Sequence, residues 1–280
     1  MKIAVLSGKG GTGKTFVSVN LSVTADRAMY LDCDVEEPNG HLFFKPENIQ
    51  SESVTKRLPV FDSNKCVGCR SCLEFCQFNA LAFINGAPKV FNTVCHSCGG
   101  CAIVCPTGAV TEEVVEIGHV DVGQHNNVKV ATGFLNVGEA SGIALIQRLL
   151  HKAEEYDGEN IIIDCPPGSA CPVVESIQDA DYCILVAEPT VFGAHNFEMV
   201  HELVQIIGKP FGVVINKAVK GNHLMDDICE KEGLKVLAKI PYHDYTALAG
   251  ANGNIAVDVD EELRETFKGI WHAVAEEVKA

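Results

Sequence analysis

A short run of glycine, lysine and threonine near the start of the chain has the composition of a phosphate-binding loop. It reads Gly-Lys-Gly-Gly-Thr-Gly-Lys-Thr over residues 8–15 and follows an apolar segment. Glycines let backbone N–H groups converge on phosphate oxygens, and a following helix N-terminus favours an anion. We therefore predict that nucleotide phosphates are bound by Gly8, Gly10, Gly11, Thr12, Gly13, Lys14 and Thr15.

Two of these side chains have separate predicted roles. The Lys14 ammonium is expected to reach the β- and γ-phosphates, where it would act in catalysis, and the Thr15 hydroxyl is expected to ligate Mg²⁺. A second Mg²⁺ residue is predicted at Asp164, because the continuous apolar run Ile161–Ile163 indicates a buried strand that ends at this carboxylate. The alternative is an ordinary glycine-rich turn with no ligand.

Eight of the 13 cysteines fall into two tight runs, and both runs have the spacing C-x₂-C-x₂-C-x₃-C. Clustered C-x-x-C spacing and an odd count favour metal binding over a disulfide framework. Soft thiolates suit iron–sulfur clusters. Zinc is the alternative metal, but zinc sites usually show two separated cysteine pairs rather than two complete runs of four.

The cysteine segment resembles the bacterial two-cluster ferredoxins over about 50 residues, in a pattern where each fourth cysteine ligates the other cluster. The resemblance implies one [4Fe–4S] cluster on Cys66, Cys69, Cys72 and Cys105. It implies a second on Cys76, Cys95, Cys98 and Cys101. The first run departs from the ferredoxin pattern at Gln77, where the family usually has a proline after the fourth cysteine. This difference leaves all eight cysteine ligands in place.

The glycine loop carries an additional lysine, Lys9, and thereby resembles the deviant Walker A ATPases, a family that includes MinD, ParA, Mrp and the nitrogenase iron protein. The resemblance covers residues 1–58 and 112–280. It implies that Lys9 is catalytic, reaching across an ATP-bound homodimer to the partner's nucleotide and stabilising charge in the transition state. The alternative is a solvated loop lysine.

The same resemblance assigns roles to an acidic segment that follows the second predicted strand. Asp32-Cys33-Asp34 is similar to the family's switch I segment, which implies that Asp34 orients the attacking water and that Asp32 contributes to the Mg²⁺ surroundings. Adenine is favoured over guanine, because Val219 stands where a guanine-reading carboxylate would follow Asn216-Lys217. Asn216 is therefore the expected adenine contact.

Strands that alternate with helices must position these residues. We predict strands at Lys2–Leu6, Met29–Leu31, Val128–Phe134, Asn160–Asp164, Tyr182–Ala187, Phe211–Asn216 and Lys235–Ile240. Helices are predicted at Phe16–Ala28, Ser141–Ala153, Ala194–Ile207, His223–Glu232 and Asp260–Val278, and the stretch up to Arg57 is predicted to be irregular.

This alternation predicts an α/β fold with a doubly wound, mostly parallel sheet. By resemblance it is a P-loop NTPase fold of the MinD and nitrogenase iron protein type, with a small inserted ferredoxin-like α+β domain. The predicted ATPase domain is discontinuous, comprising residues 1–58 and 112–280, and the predicted insert comprises residues 59–111.

Composition narrows the possible partners and location. The chain has 280 residues and a formal net charge of −15, which argues against broad attraction to nucleic acid or anionic membranes. Apolar runs are far shorter than the roughly 20 residues that span a bilayer. The N-terminal residues lack the pattern of an export signal, so a cytoplasmic protein is expected.

Three functions are compatible with these features. The first is an ATPase, dimeric with ATP, that couples its nucleotide cycle to electron transfer through two [4Fe–4S] clusters toward a protein partner. The second is an ATPase that carries or assembles iron–sulfur clusters or metallocofactors. The third is a positional switch of the MinD or ParA kind, which the acidic C-terminal segment Asp260–Ala280 disfavours as a membrane anchor.

Cys171 is a further candidate site residue. It lies seven residues after Asp164, the offset at which the nitrogenase iron protein carries a cluster ligand, although the segment Gly138–Gly142 offers no second cysteine. One hypothesis places Cys171 at the dimer interface as a ligand for a transient metal or cluster. The alternative is a small buried cysteine.

Overall fold

A computed structural model describes residues 1–139 and 141–279 of the chain. The strands are β1 Lys2–Leu6, β2 Ala28–Asp32, β3 Glu47–Phe61, β4 Leu81–Ile84, β5 Ala87–Val90, β6 Val110–His125, β7 Val128–Leu135, β8 Asn160–Asp164, β9 Tyr182–Ala187, β10 Phe211–Ala218 and β11 Val236–Pro241. The helices are α1 Lys14–Thr24, α2 Gly40–Phe44, α3 Ser71–Phe75, α4 Gly100–Ile103, α5 Ile143–Glu154, α6 Cys171–Ile177, α7 Val191–Ile207, α8 Leu224–Glu232, α9 Asp244–Ala251 and α10 Glu261–Lys279, with a 3₁₀ turn at Ala256–Asp258.

Nine strands form one sheet in the order β11-β10-β9-β1-β8-β2-β7-β6-β3. The seven strands from β11 to β7 run parallel, whereas β6 is antiparallel to β7 and β3 is antiparallel to β6. The predicted α/β fold with a mostly parallel sheet is therefore confirmed. Because the parallel strands end at one edge of the sheet, the loops after β1, β2 and β8 meet there.

Both faces of the parallel sheet are covered, which explains its nearly continuous apolar strands. One face buries residues such as Ile3, Val5 and Ile162 together with apolar side chains of α1 and α10. The opposite face buries Ala4, Leu6 and residues of α5, α6, α7 and α8. These two layers hold the loops of the site on a rigid platform.

Several predicted elements need correction. The stretch up to Arg57 is not irregular: it contains α2 and most of β3, a 15-residue edge strand whose first residues are polar and exposed. A search for apolar residues does not detect such a strand, because most of its side chains are exposed and do not pack against the hydrophobic core. The first helix is α1, which ends at Thr24, and Ala28 already belongs to β2. The strand β6 and the helices α6 and α9 were not predicted.

The cysteine-rich segment extends from the antiparallel end of the sheet. The paired strands β3 and β6 form a long two-stranded arm, with register from Glu47–Gln124 to Phe61–Val110. Beyond the arm lie two short helices, α3 and α4, and the antiparallel hairpin β4–β5. The predicted limits of the insert fall inside β3 and β6, so the arm joins the cysteine loops directly to the sheet.

In the part of the chain that the structure describes, we find no helix with the length and apolar character needed to cross a lipid bilayer.

Candidate functional site

The glycine loop lies between β1 and α1 and forms one wall of a cavity of about 640 Å³. Such a volume is typical of small-molecule sites. The cavity brings together loop residues with residues that follow β2 and β8. Its lining includes Lys9, Gly10, Gly11, Gly13, Lys14, Thr15, Asp34, Asn39, Pro166 and Pro167. Most of the predicted phosphate-binding residues therefore meet at one place, and α1 begins at Lys14 with its N-terminus toward them.

Lys14 is held by carboxylates at the base of the cavity. Its buried ammonium lies 2.6 Å from Asp164 Oδ1 and 3.7 Å from Asp34 Oδ2. Burial acts to lower the pKa of Lys14, but Asp164 and Asp34 outweigh it and keep that pKa above the ordinary value. Lys14 is therefore a fixed positive charge where phosphate oxygens would converge.

The second oxygen of Asp164 has its own partner, Tyr30 on β2. The Tyr30 hydroxyl donates to Asp164 Oδ2 at 2.7 Å, and both residues are fully buried. Burial and the Asp164 carboxylate raise the pKa of Tyr30, so the phenol stays a hydrogen-bond donor. Asp164 is thereby held on both sides, by Lys14 and by Tyr30.

Asp32 organises the segment that follows β2. Its carboxylate accepts backbone N–H bonds from Asn39 at 3.1 Å and from Gly40 at 2.8 Å, and a longer one from Asp34 at 3.3 Å. Burial and the nearby Asp164 carboxylate raise the pKa of Asp32 to about 8. Asp32 thus folds the loop that presents Asp34, and its predicted contribution to a Mg²⁺ site stays a prediction.

Asp34 lies closer to the open side of the cavity, with a side chain 19% exposed. Burial raises the pKa of Asp34 to about 6, although Lys14 acts against that shift. A carboxylate with a pKa near 6 is ionised at neutral pH and is able to accept a proton or orient a water molecule.

Two glycines of the loop are required by close contacts. A methyl group on Gly8 would lie 2.0 Å from the backbone oxygen of Asn196 on α7, and one on Gly13 would lie 2.0 Å from Asn216 Nδ2. Gly13 also has φ of 98°. The Asn216 amide donates to the Thr12 carbonyl at 2.9 Å, so Asn216 braces the loop from behind. Its predicted adenine contact stays a prediction.

Lys9 lies at the mouth of the cavity against a glutamate that follows β9. Its ammonium is 2.5 Å from Glu188 Oε1, and Lys217 lies 3.5 Å from Glu188 Oε2. Lys217 also donates to the Gly11 carbonyl at 2.5 Å. Burial acts to raise the pKa of Glu188, but the hydrogen bond from Lys9 holds it below the ordinary value. Glu188 therefore ties two cations to the rim of the loop.

Three site residues had no role in the sequence-based prediction: Tyr30, Glu188 and Lys217. Tyr30 lies two residues before Asp32 and so shares its face of β2, which is a signal that strand alternation provides. Glu188 and Lys217 lie at the ends of β9 and β10, two strands parallel to β1, so strand order places them at the same edge of the sheet as the glycine loop. The sequence does not indicate that their side chains pair with each other and with Lys9 there.

The two cysteine runs adopt the same local conformation. Positive φ angles occur at the third and fifth positions of each run, at Gly68 and Arg70 in the first and at Ser97 and Gly99 in the second. A short helix follows in each case, α3 or α4. In each run burial raises the pKa of the third thiol, Cys72 or Cys101, and the first two thiols are close enough for their charges to raise it further. Three neighbouring thiols are the arrangement that a shared cluster uses.

The thiols are free and partly accessible. All 13 cysteines are unpaired, and Cys69 and Cys98, the second cysteines of the two runs, are exposed. Burial raises the pKa of Cys72 and of Cys101, the third cysteines. The Ser71 hydroxyl lowers the pKa of Cys69, and the backbone N–H of Thr107 lowers that of Cys105. Lower pKa values favour the thiolate form that binds metal.

The structure also brings thiols of different runs together. A cavity of about 30 Å³ is lined by Cys76 of the first run and by Cys95, Cys98 and Cys101 of the second, with Cys72 also on its wall. Cys105 is close enough to Cys69 to oppose ionisation of that thiol. Thiols from both runs thus lie together, and thiolates are the ligands that iron–sulfur clusters use, so the residues present are compatible with the two ligand sets that the resemblance implies. Among the described residues, no three His, Cys, Asp or Glu side chains are grouped as a single metal ion would require.

Cys171 is exposed at the first residue of α6, so the interpretation of it as a small buried cysteine is wrong. The neighbouring Ala170 and Pro172 line the large cavity. The segment Gly138–Gly142, which would have to supply a second interface ligand and has no cysteine, includes Ala140, and Ala140 lies outside the described residues. The other scattered cysteines, Cys33, Cys165, Cys183 and Cys229, are buried.

Comparison with known proteins gives two kinds of relative. The uncharacterized protein MJ0578 of Methanocaldococcus jannaschii is 29% identical over 279 residues, covering 99% of this chain and 97% of that protein. The uncharacterized ferredoxin MJ0722 of the same organism is 34% identical over 61 residues, covering 20% of this chain and 79% of the ferredoxin. The short match suggests that a ferredoxin-like region is present.

Among solved structures, the cell division ATPase MinD of Pyrococcus furiosus superposes with a TM-score of 0.60 at 19% identity, covering 98% of both chains. This likeness concerns the fold. A family match extends over residues 3–257, and it shows that the chain belongs to the CobQ/CobB/MinD/ParA nucleotide binding domain family, as a P-loop ATP-binding protein.

Proposed function

We propose that this protein binds and hydrolyses ATP, dimerises with ATP, and couples the nucleotide cycle to electron transfer through two [4Fe–4S] clusters. One observation carries the proposal. The sheet that holds the nucleotide cavity continues through β6 and β3 into the two cysteine loops. The nucleotide cavity and the cysteine loops are therefore connected by one hydrogen-bonded sheet, so a structural change at one of them is able to reach the other.

On the nucleotide side, the cavity supports Mg²⁺-ATP as the ligand. Lys14 would contact the β- and γ-phosphates, and Thr15 would hold the metal with Asp32 in its surroundings. Asp164, which pairs with Lys14 in the structure, would join the metal ligands when Lys14 turns to the phosphates. Asp34 would orient the attacking water. Lys9 at the rim would reach the nucleotide of a second copy, which makes the ATP-bound homodimer the active form.

On the cysteine side, the ligand sets are those of the resemblance: Cys66, Cys69, Cys72 and Cys105 for one cluster, and Cys76, Cys95, Cys98 and Cys101 for the other. When bound, such clusters supply one-electron redox chemistry. The chain's own contribution is to hold the thiols in two repeated turns and to leave Cys69 and Cys98 exposed toward a protein partner.

The same exposure favours a second candidate function, in which the protein carries iron–sulfur clusters to a receiving protein. A cluster whose ligands reach solvent is accessible to thiols of an acceptor as well as to electrons. In this alternative the clusters are cargo, and ATP controls their release.

Anaerobically purified protein separates the two functions. The protein is reduced and mixed with an electron acceptor or with a cluster-free ferredoxin, each with and without Mg²⁺-ATP. Electron transfer is supported if iron stays on the chain while electrons leave in an ATP-dependent way. Movement of iron to the cluster-free ferredoxin supports the carrier instead. Protein that neither hydrolyses ATP nor contains iron would contradict both. The ATP-locked Asp34→Ala variant then serves to capture the partner.

A further inference from the structure

A lysine on the arm contacts both the segment before the second cysteine run and the loop that follows β7. The Lys56 ammonium, on β3, donates to the Asn92 carbonyl at 3.2 Å and pairs with the Glu139 carboxylate. The side chains of Lys56 and Glu139 are only 13% and 19% exposed. In a largely buried pair of this kind, removing either partner leaves an uncompensated charge, so we expect the two side chains to stay in contact.

On the cysteine side, the contact reaches the turn that begins the second run. Asn92 follows Phe91, whose carbonyl accepts N–H bonds from Val94 at 2.9 Å and from Cys95 at 3.0 Å. Cys95 is the first thiol of that run. A shift of the Asn92 carbonyl therefore moves the turn that positions Cys95.

On the nucleotide side, Glu139 belongs to the loop after β7. Its N–H donates to the Asn136 carbonyl at 3.2 Å, and the neighbouring Leu135 N–H donates to the Val35 carbonyl at 2.9 Å. Val35 lines the nucleotide cavity directly after Asp34. Its side chain leaves no room for a methyl group on Gly142, another residue of the cavity wall. A movement of Asp34 and Val35 would therefore be passed to Glu139 through the backbone hydrogen bonds of Leu135 and Asn136.

We propose that Lys56 is a positioning residue that couples the nucleotide cavity to the turn before Cys95, through Glu139 on one side and Asn92 on the other. The inference deepens the proposed function, on which it rests, by naming the contact that joins its two halves. Coupling between two binding sites is reciprocal. If reduction of the cysteine side changes the affinity for ATP tenfold, then saturation with ATP shifts the one-electron midpoint potential of that side by about 59 mV.

The neighbouring residue provides a matched control. Arg57 is the next residue on β3, so its side chain leaves the opposite face of the strand. It pairs at 3.5 Å with Glu112 across the arm, and its side chain is 71% exposed. Lys56→Met and Arg57→Met each remove one positive charge from the same strand. Arg57 lies on the wall of the small cysteine cavity, so Arg57→Met controls for a charge change near the thiols, whereas only Lys56→Met removes the contact with Asn92 and Glu139.

The test measures hydrogen exchange of the Val94 and Cys95 amides with and without a non-hydrolysable ATP analogue, and then the cluster midpoint potentials under the same conditions. In wild-type protein and in Arg57→Met, the analogue is expected to change both quantities. In Lys56→Met the change is expected to be lost while the iron content remains. Glu139→Gln, which is nearly isosteric, breaks the same pair from the other side and should give the same loss.

A full nucleotide response in Lys56→Met or in Glu139→Gln would overturn the inference, and so would its absence from wild-type protein that binds the analogue. Failure of the proposed function gives a different result, namely a wild-type chain without iron. The exchange measurement remains decisive in that case because it requires no cluster.

Discussion

Lys9 and Glu188 form an ion pair at the rim of the nucleotide cavity, with 2.5 Å between the ammonium and Oε1. The glutamate is well anchored, because the Thr190 hydroxyl donates to the same oxygen at 3.0 Å and Lys217 lies on the other. Thr190 also caps α7 by accepting the Gly193 N–H. Glu188 therefore competes for Lys9 with any phosphate that approaches the rim.

Replacement of Glu188 by glutamine should promote the proposed ATP-bound dimer. The neutral amide holds Lys9 less strongly. The Glu188 side chain is buried and that of Lys9 is 34% exposed, so we expect the pair to contribute about 1 kcal/mol, or roughly a five-fold change in the equilibrium. Analytical ultracentrifugation across an ATP titration would measure the shift toward lower ATP concentration. Glu198→Gln changes an exposed residue of α7 and should leave the titration unchanged. A shift toward higher ATP concentration would show that Glu188 supports the dimer.

Tyr30→Phe should destabilise the fold through loss of one hydrogen bond to Asp164. The carboxylate oxygen left without its donor is buried, and such a loss costs about 1–3 kcal/mol. Urea denaturation measures the free energy of unfolding. Tyr156→Phe is the control, since the Tyr156 hydroxyl donates to the Arg27 carbonyl in an exposed position and should contribute much less. Equal effects of the two substitutions would show that Asp164 does not depend on Tyr30.

The free energy of unfolding should depend on pH through Asp34. Its pKa in the folded protein is about 6, above the ordinary value of 3.8, with burial as the largest cause. The folded chain therefore binds more protons than the unfolded chain between these two values, and its stability falls as pH rises through this window. Asp34→Asn removes the effect, so the variant should unfold at a higher temperature than wild type at pH 8, with the difference vanishing below about pH 4.

Thermal unfolding between pH 4 and pH 8 provides the measurement. Asp179→Asn alters an exposed carboxyl group on the same protein and should leave the pH dependence intact. A melting temperature for Asp34→Asn that stays below that of wild type at pH 8 would contradict the prediction and indicate that the attraction of Lys14 for Asp34 dominates.

Iron analysis should distinguish Cys76 from Cys171. Cys76 lines the same cavity as Cys95, Cys98 and Cys101, so Cys76→Ser is expected to lose about four iron atoms per chain, the content of one cluster. Cys171 is exposed on α6, away from both runs in sequence, and Cys171→Ser should retain all the iron. Loss of iron from the ATP-bound Cys171→Ser dimer would instead support an interface ligand. Full iron in Cys76→Ser would exclude its proposed ligand role.

Local sequence patterns were sufficient for much of the fold and for the contents of the site. Glycines and lysines at residues 8–15, an apolar run that ends at Asp164, and paired cysteine spacings each depend on neighbours within a few residues. The strand β8 was predicted with its observed limits because a buried parallel strand is apolar on both faces. The arm was missed because β3 is a polar edge strand whose pairing partner, β6, is distant in the chain.

The partners of the site residues depended on tertiary structure. Tyr30 reaches Asp164 across 134 positions, and Lys56 reaches Glu139 across 83. Sequence by itself determined which chemical groups the chain carries, because short motifs and strand periodicity are local. Only the folded sheet decided which groups hold one another, because the order of the strands and the packing of their loops bring together residues that no local spacing connects.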